Sequence, residues 1–269
     1  VPTVWLSMFA DMDSNGGDYG KLGVVVIGGS ACPRSMIERL MKNNIRVAHA
    51  WGMTETSPIG TTGALPANWD ELDFDAQVDV ICKQGRPPFG VELRVIDEDG
   101  NVAPRDGKTS GTLEVRGPWI IKRYYRADED AVEDDGWFDT GDVALLQPDG
   151  TMQITDRAKD VIKSGGEWIS SIELENAAVG CAGVAEAAAV GVYHPKWDER
   201  PLLLIVRKPD SNVSEAEVMA YLEDKVAKWW LPDEVKFVDE LPHTATGKIL
   251  KRAIRDEYRD YKLKSLADA

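Results

Sequence analysis

Residues 154–175 read ITDRAKDVIKSGGEWISSIELE. The stretch opens on a strand end and places five charged side chains, Asp156, Arg157, Lys159, Asp160 and Lys163, within eight positions. Ser164-Gly165-Gly166 follows as a flexible link, and IELENAAV (172–179) has helical spacing. Glycine lacks a Cβ, so it admits left-handed backbone and lets another group come close to the chain. A charged crossing that ends in two glycines reads either as a solvated turn or as a hinge with a phosphate-facing edge. The sequence around it decides between the two.

On the N-terminal side, GVVVIGG (23–29) is a continuous apolar run, the pattern of a strand buried on both faces of a parallel sheet. Pro33 suits a first helical turn, and Ile37, Leu40 and Met41 make an apolar stripe. IRVAHAWG (45–52) returns as a second strand. In such units ligands collect at the carboxyl ends of the strands, where GGSA (28–31) and WGMTE (51–55) both fall. Residues 60–84 are acidic and irregular, without a clear period. From 85 to 155 the pattern is short strands and tight turns. VELRVID (91–97) precedes an acidic turn at Glu98-Asp99-Gly100, GTLEVRG (111–117) follows, and DVALLQPDGTMQIT (142–155) predicts a hairpin around Asp149-Gly150.

Beyond the opening stretch, AEAAAVGVY (185–193), PLLLIVRK (201–208) and VKFVDELP (235–242) read as strands. Ser214 and Glu217 form a capping-box pattern ahead of a helix with Val218, Tyr221, Leu222 and Val226 on one face. HTATGK (243–248) reads as a loop and ILKRAIRDEY (249–258) as an amphipathic basic helix whose cations form a solvated face. The expected fold is α/β followed by α+β. Residues 1–84 supply the end of a large parallel-sheet subdomain, 85–156 a small antiparallel sheet or barrel, and 157–269 a small α+β domain.

Composition narrows the function. A formal charge of −15 argues against a general nucleic-acid binder, because phosphate backbones demand clustered cations. Cys32, Cys82 and Cys181 lie far apart without metal spacing, which suits a reducing cytoplasm and buried, hydrophobe-like thiols. No apolar run approaches the roughly 20 residues of a spanning helix, and no secretory leader is expected. The chain opens Val1-Pro2-Thr3 without methionine, so part of a longer protein is expected.

Singly, each motif has a plain structural account: Trp51 as core, Glu55 as a helix cap, Asp142 as a turn cap, Lys248 as an exposed loop lysine. In order, WGMTE (51–55), WFDTGD (137–142), DRAKDVIKSGGEWISSIELE (156–175) and PHTATGK (242–248) resemble the four signature motifs of the adenylate-forming superfamily. That family includes acyl-CoA synthetases, luciferases and peptide-synthetase adenylation domains. The resemblance runs from about Leu22 to Arg255, and the dense 164–175 and 228–251 segments are similar to those of medium-chain and methylthiopropionate CoA ligases.

What the resemblance implies is a carboxylic acid activated by ATP to acyl-AMP, then transferred to coenzyme A. Trp51 is expected to stack on adenine, with Gly52 and Met53 beside it and Gly29, Ser30 and Ala31 lining the base. Thr54 is expected at the α-phosphate, Glu55 at Mg²⁺, a hard cation suited to oxygen, and Asp142 with Arg157 at the ribose. Lys248 is expected to bridge carboxylate and α-phosphate, offsetting charge that grows in the transition state. Lys159 matches the hinge about which a mobile small domain rotates. Lys163, Ser164, Gly165 and Gly166 then face a thiol path, where a side chain on Gly166 would obstruct pantetheine. His49 and Ala50 are expected at the acyl pocket, although a strand-end histidine also serves as a satisfied structural group. Glu114 and Arg116 are expected to be structural.

The family's glycine-, serine- and threonine-rich phosphate loop is absent from this sequence, so a C-terminal half, inactive by itself, is expected. A carrier-protein-dependent adenylation enzyme and a noncatalytic nucleotide-binding module stay open as alternatives, and so does a homodimer.

Overall fold

The computed structural model describes residues 1–30, 32–97, 99–245 and 247–267. Ala31, Glu98 and Thr246, expected in the base-lining segment, the acidic turn and the Lys248 loop, lie outside the described residues. The elements in chain order are α1 (Pro2–Asn15), β1 (Val24–Ile27), α2 (Arg34–Lys42), β2 (Arg46–Trp51), β3 (Thr61–Thr62), α3 (Phe74–Cys82), β4 (Glu92–Ile96), β5 (Ser110–Arg116), β6 (Phe138–Leu146), β7 (Met152–Arg157), β8 (Ile162–Ser164), β9 (Glu167–Ile169), α4 (Ser171–Val179), β10 (Val184–His194), β11 (Asp198–Arg207), α5 (Glu215–Glu223), β12 (Glu234–Phe237), α6 (Lys251–Glu257) and α7 (Lys264–Ala267). The chain divides into two compact units, Val1–Cys32 with Met36–Ala158, and Pro33–Ser35 with Lys159–Ala269.

In the first unit β1 and β2 pair in parallel, with β3 antiparallel to β2. Val25, Ile27 and Val47 point to one face, where Met36, Ile37 and Leu40 of α2, Val78 and Ile81 of α3 and Phe9 of α1 cover them. Burial of β1 on both faces does not hold: Val24 and Val26 are 56% and 68% exposed, because these helices all pack on the other face. The segment without a visible period contains α3, nine residues long. Its only fully buried side chains are Val78 and Ile81, too few to print a stripe, and its start is fixed by Asp73, whose carboxylate accepts from Ala76 N at 2.8 Å.

The second sheet of this unit is antiparallel in the order β4-β5-β6-β7. Of the two forms the sequence allows it is an open sheet, not a barrel. Glu114 and Arg116 serve structure, forming cross-strand ion pairs with Arg94 and with Glu92, the latter at 2.8 Å.

The second unit is built on β10 and β11, an antiparallel pair eleven and ten residues long, with β8 and β12 on the other side of β11. Helices α4 and α5 pack on one face through Leu174, Ala178, Val218 and Leu222, and α6 on the other through Ile254. The capping box forms as expected, with Ser214 N donating to Glu217 Oε2 at 2.8 Å and Glu217 N to Ser214 Oγ at 3.3 Å.

The two glycines of the opening stretch are not a flexible link. β8 and β9 pair Ser164 with Glu167, which leaves Gly165 and Gly166, at φ +62° and +87°, as a two-residue hairpin turn. Positive φ at both central residues matches the twist of the flanking strands. Gly165 N also donates to Trp197 O at 2.7 Å, and a Cβ on Gly165 would lie 2.8 Å from the Trp197 ring, whereas none lies near Gly166. Gly165→Ala should therefore lower the unfolding free energy by about 2 kcal/mol and Gly166→Ala by about 1 kcal/mol. Urea denaturation followed by tryptophan fluorescence would show it, and equal losses at both positions would contradict the packing argument.

Candidate functional site

In the first unit β2 ends at Trp51, and the chain turns sharply through Gly52 and Met53 into one 3₁₀ turn, Thr54–Thr56. A side chain at Gly52 cannot fit, since its Cβ would sit 1.7 Å from the Pro58 carbonyl oxygen. Thr56 closes the turn from inside: its Oγ1 accepts from Met53 N at 2.9 Å and donates to Pro58 O at 2.7 Å. Thr54 is left exposed and Glu55 half-buried. The Tyr124 hydroxyl donates to Glu55 Oε1 at 2.9 Å, and Ile121 N donates to the Glu55 carbonyl at 2.8 Å. That hydrogen bond raises the Tyr124 phenol above its ordinary pKa. Thr56 and Tyr124 are contributors the sequence reading missed. Thr56 lies one residue beyond the motif, and nothing in sequence links Tyr124 to a partner 69 positions away.

Facing this turn region from the antiparallel sheet, Asp142 on β6 is 4% exposed. Trp51 Nε1 donates to its Oδ2 at 2.8 Å, and Arg157 Nε, from the register partner on β7, lies 3.1 Å from its Oδ1. Thr140 sets the approach: its Oγ1 donates to Leu113 O at 2.7 Å and accepts from Asp142 N at 3.2 Å. Burial pushes the Asp142 carboxyl above the usual carboxylate range, outweighing the opposite pulls of Arg157 and of the Trp51 hydrogen bond.

Trp51 is only 9% exposed, packs with Val91, Leu93 and Phe138, and lies against Gly60. Little of the indole on which adenine is expected to stack is left exposed. Gly29 is exposed and Ser30 half-buried, just past the end of β1.

His49 and Ala50, both expected at the acyl pocket, point to opposite faces of the sheet. Alternation along β2 turns His49 to the helix-covered face and half-buried Ala50 to the other. His49 Nδ1 lies 3.2 Å from the carbonyl oxygens of both Ile81 and Cys82, and burial lowers its pKa, so the ring is neutral and tethers β2 to α3. Its placement is that of the satisfied structural histidine.

The remaining expected residues belong to the second unit. Lys159 is exposed at its start. On the β8–β9 hairpin Lys163 is exposed while its backbone N donates to Glu199 Oε2 at 2.9 Å. Ser164 is buried and its hydroxyl accepts from Arg200 at 3.1 Å. Lys248 is half-buried in a closed loop where Thr244 N donates to Lys248 O at 2.7 Å, Lys248 N to Thr244 Oγ1 at 3.1 Å and Leu250 N to Pro242 O at 2.7 Å. The basic helix that follows is not simply solvated. Lys251 and Arg255 pair with Glu175 and Asp160, and only Arg252 of these cations stays largely exposed.

Comparison with known proteins gives the family. The family model described as AMP-binding enzyme matches residues 1–125, and that of the AMP-binding enzyme C-terminal domain matches residues 173–248. The chain belongs to the AMP-binding enzyme family. Within that family it is 50% identical over 261 residues to the 3-methylmercaptopropionyl-CoA ligase of Ruegeria pomeroyi, covering 97% of this chain and 48% of that protein. It is 48% identical over 266 residues to the medium-chain-fatty-acid–CoA ligase of Ectopseudomonas oleovorans, covering 98% and 49%. The crystal structure of the anthranilate CoA ligase AuaEII with anthranoyl-AMP superposes with a TM-score of 0.81 at 25% identity, over 96% of this chain and 49% of that one. The chain spans about half the length of the curated relatives it matches.

The raised pKa of Asp142 makes stability depend on pH. Its native pKa lies above the unfolded value of 3.8, so its burial carries no penalty below that pH and destabilises as pH rises from there through the native pKa. Asp142→Asn keeps an acceptor for Trp51 and removes the charge. Its stability relative to the parent should therefore increase as pH rises through this range. Denaturation curves at several pH values would show the divergence, and parallel profiles would rule out a raised pKa.

Proposed function

We propose that these residues form the nucleotide-closing half of an acid–CoA ligase. The observation that carries the reading is the buried Asp142 carboxylate, held between the Trp51 indole N–H and the Arg157 guanidinium beside the Thr54–Thr56 turn. A carboxylate fixed in this way is suited to accept the ribose hydroxyls of ATP. Thr54, with its exposed hydroxyl, is assigned to the α-phosphate, and Gly29 and Ser30 to the base.

Glu55 fits a magnesium ion: one of its oxygens takes the Tyr124 hydroxyl, leaving carboxylate lone pairs for a hard cation. Among the described residues no group of three metal-binding side chains occurs. Glu55 would supply a carboxylate, with ATP phosphates and water as the other ligands, the usual mode for Mg²⁺. When bound, that ion neutralises phosphate charge.

In the first half-reaction a carboxylate oxygen of the acid bonds to the α-phosphorus and the bond to the pyrophosphate oxygen breaks, giving acyl-AMP and pyrophosphate. Lys248 holds its ammonium against the charge that accumulates, while the residues of the first unit orient the nucleotide. In the second half-reaction the thiol sulfur of coenzyme A bonds to the acyl carbon. AMP departs with the electron pair of the broken C–O bond, and the thiol proton is released. We assign the β8–β9 hairpin, with Lys163, Ser164, Gly165 and Gly166, to the thiol side, and the exchange between half-reactions to rotation about Lys159.

The acids we propose are 3-methylmercaptopropionate and medium-chain fatty acids, supported by the two relatives at 50% and 48% identity. No described helix is long and apolar enough to cross a membrane. No disulfide joins the three cysteines, and we place the reaction in the cytoplasm.

The natural polypeptide carrying these residues should release AMP from ATP only when acid and coenzyme A are both present. Release at the same rate without coenzyme A would favour a carrier-dependent enzyme. Lys248→Ala should slow acyl-AMP formation about 100- to 1,000-fold and leave thioester formation from preformed acyl-AMP unchanged. Equal loss of both half-reactions would sink the two-arrangement account.

A further inference from the structure

The loop that carries Lys248 runs into α6 with only Ile249 and Leu250 between Lys248 and Lys251. Ile249 bridges to His243 and Leu250 N donates to Pro242 O, so the loop is closed and moves with the start of the helix. Lys251 is withdrawn from solvent, its side chain 13% exposed. Its Nζ lies 2.7 Å from Glu175 Oε1 and 2.6 Å from Ser171 Oγ, both on α4. Glu175 is equally enclosed, and the same Oε1 accepts from Ala189 N on β10 at 2.8 Å. One helical turn later on the same side of α6, Arg255 pairs with Asp160, the residue after Lys159. His243, at the far side of the loop, lies 3.3 Å from Glu186 on β10.

A lysine is a poor choice for filling space, since a buried ammonium is retained only where it is paired and hydrogen-bonded. What this one achieves is to fix the base of a long, flexible lysine three residues away. We propose that Lys251 is a positioning residue for Lys248: clamped on Glu175 and Ser171, it sets where the Lys248 ammonium can reach. The inference rests on the role given to Lys248 above. It separates Lys251 from the ordinary run of surface cations on α6, because a purely structural ion pair would support the whole unit and both half-reactions alike.

The test uses the full natural polypeptide and measures acid-dependent exchange of labelled pyrophosphate into ATP, thioester formation from preformed acyl-AMP, and melting temperature. The informative variant is Lys251→Met combined with Glu175→Gln. It removes both charges of the Lys251–Glu175 pair together and keeps an acceptor for Ala189 N. We expect its exchange kcat to fall about 100-fold, the loss typical of a misplaced catalytic group, with the KM for ATP little changed and thioester formation intact. Lys251→Arg, which retains the charge and folds independently of the first variant's success, should lose less exchange activity and likewise spare thioester formation. Unchanged exchange in either variant, or equal loss of both half-reactions, overturns the proposal while leaving the ligase reading standing. A parent without acid-dependent exchange would instead overturn the ligase reading, and this inference with it.

Discussion

The first unit depends on one enclosed carboxylate. Asp142 has almost no contact with water, yet it accepts from the indole of Trp51 at the end of β2 and faces Arg157 across the β6–β7 ladder. These partners join the parallel strand end of one sheet to the hairpin of another. Burial works against the ionised form, while the indole and guanidinium work for it, and burial is the larger effect. The ribose role proposed for Asp142 would add hydroxyl donors to this carboxylate. An apolar side chain of the same size would avoid the desolvation, so this carboxylate is weak evidence for stability by itself.

The role proposed for Lys248 sets the second unit a different problem, that of aiming a flexible ammonium. Its central pair β10–β11 provides a rigid surface, and the elements that carry the assigned residues are pinned to it by polar side chains. Arg200 holds the β8–β9 hairpin through Ser164 while also donating to Trp229 O at 2.9 Å, Leu231 O at 3.0 Å and Asp233 at 2.6 Å. Lys251 does the same for the Lys248 loop. Near the C-terminal end, Glu234 is buried where Tyr261 and Lys264 satisfy it, and burial, reinforced by the Glu234 contact, pushes the Tyr261 phenol up to about 12.

Much of this was legible in sequence where the signal is local. The Ser214–Glu217 cap, the Asp149-Gly150 hairpin, the long apolar strands of the second unit and the four ordered motifs all depend on residues close together in the chain. What escaped was set by distant partners. Helix α3 buries only two full side chains, so its period is invisible, and it is recognised by what it covers. Exposure of Val24 and Val26 follows from which face the helices chose, and an apolar run cannot encode that choice. Period-2 alternation could have shown that His49 and Ala50 face opposite ways. The carbonyls that fix His49 come from 32 and 33 residues downstream. The glycine pair shows the opposite limit: read as a flexible link, it is a turn whose two positive φ values match strand twist, visible only once Ser164 and Glu167 are known to pair.

In the function proposed for it, the chain belongs to a machine that joins a carboxylate to AMP before any thiol takes part. Exchange of labelled pyrophosphate into ATP, measured on the natural full-length polypeptide without coenzyme A, tests this most directly. The account predicts rapid exchange that depends on added 3-methylmercaptopropionate or a medium-chain acid and vanishes without acid. Tight ATP binding with no exchange for any acid tested would contradict it.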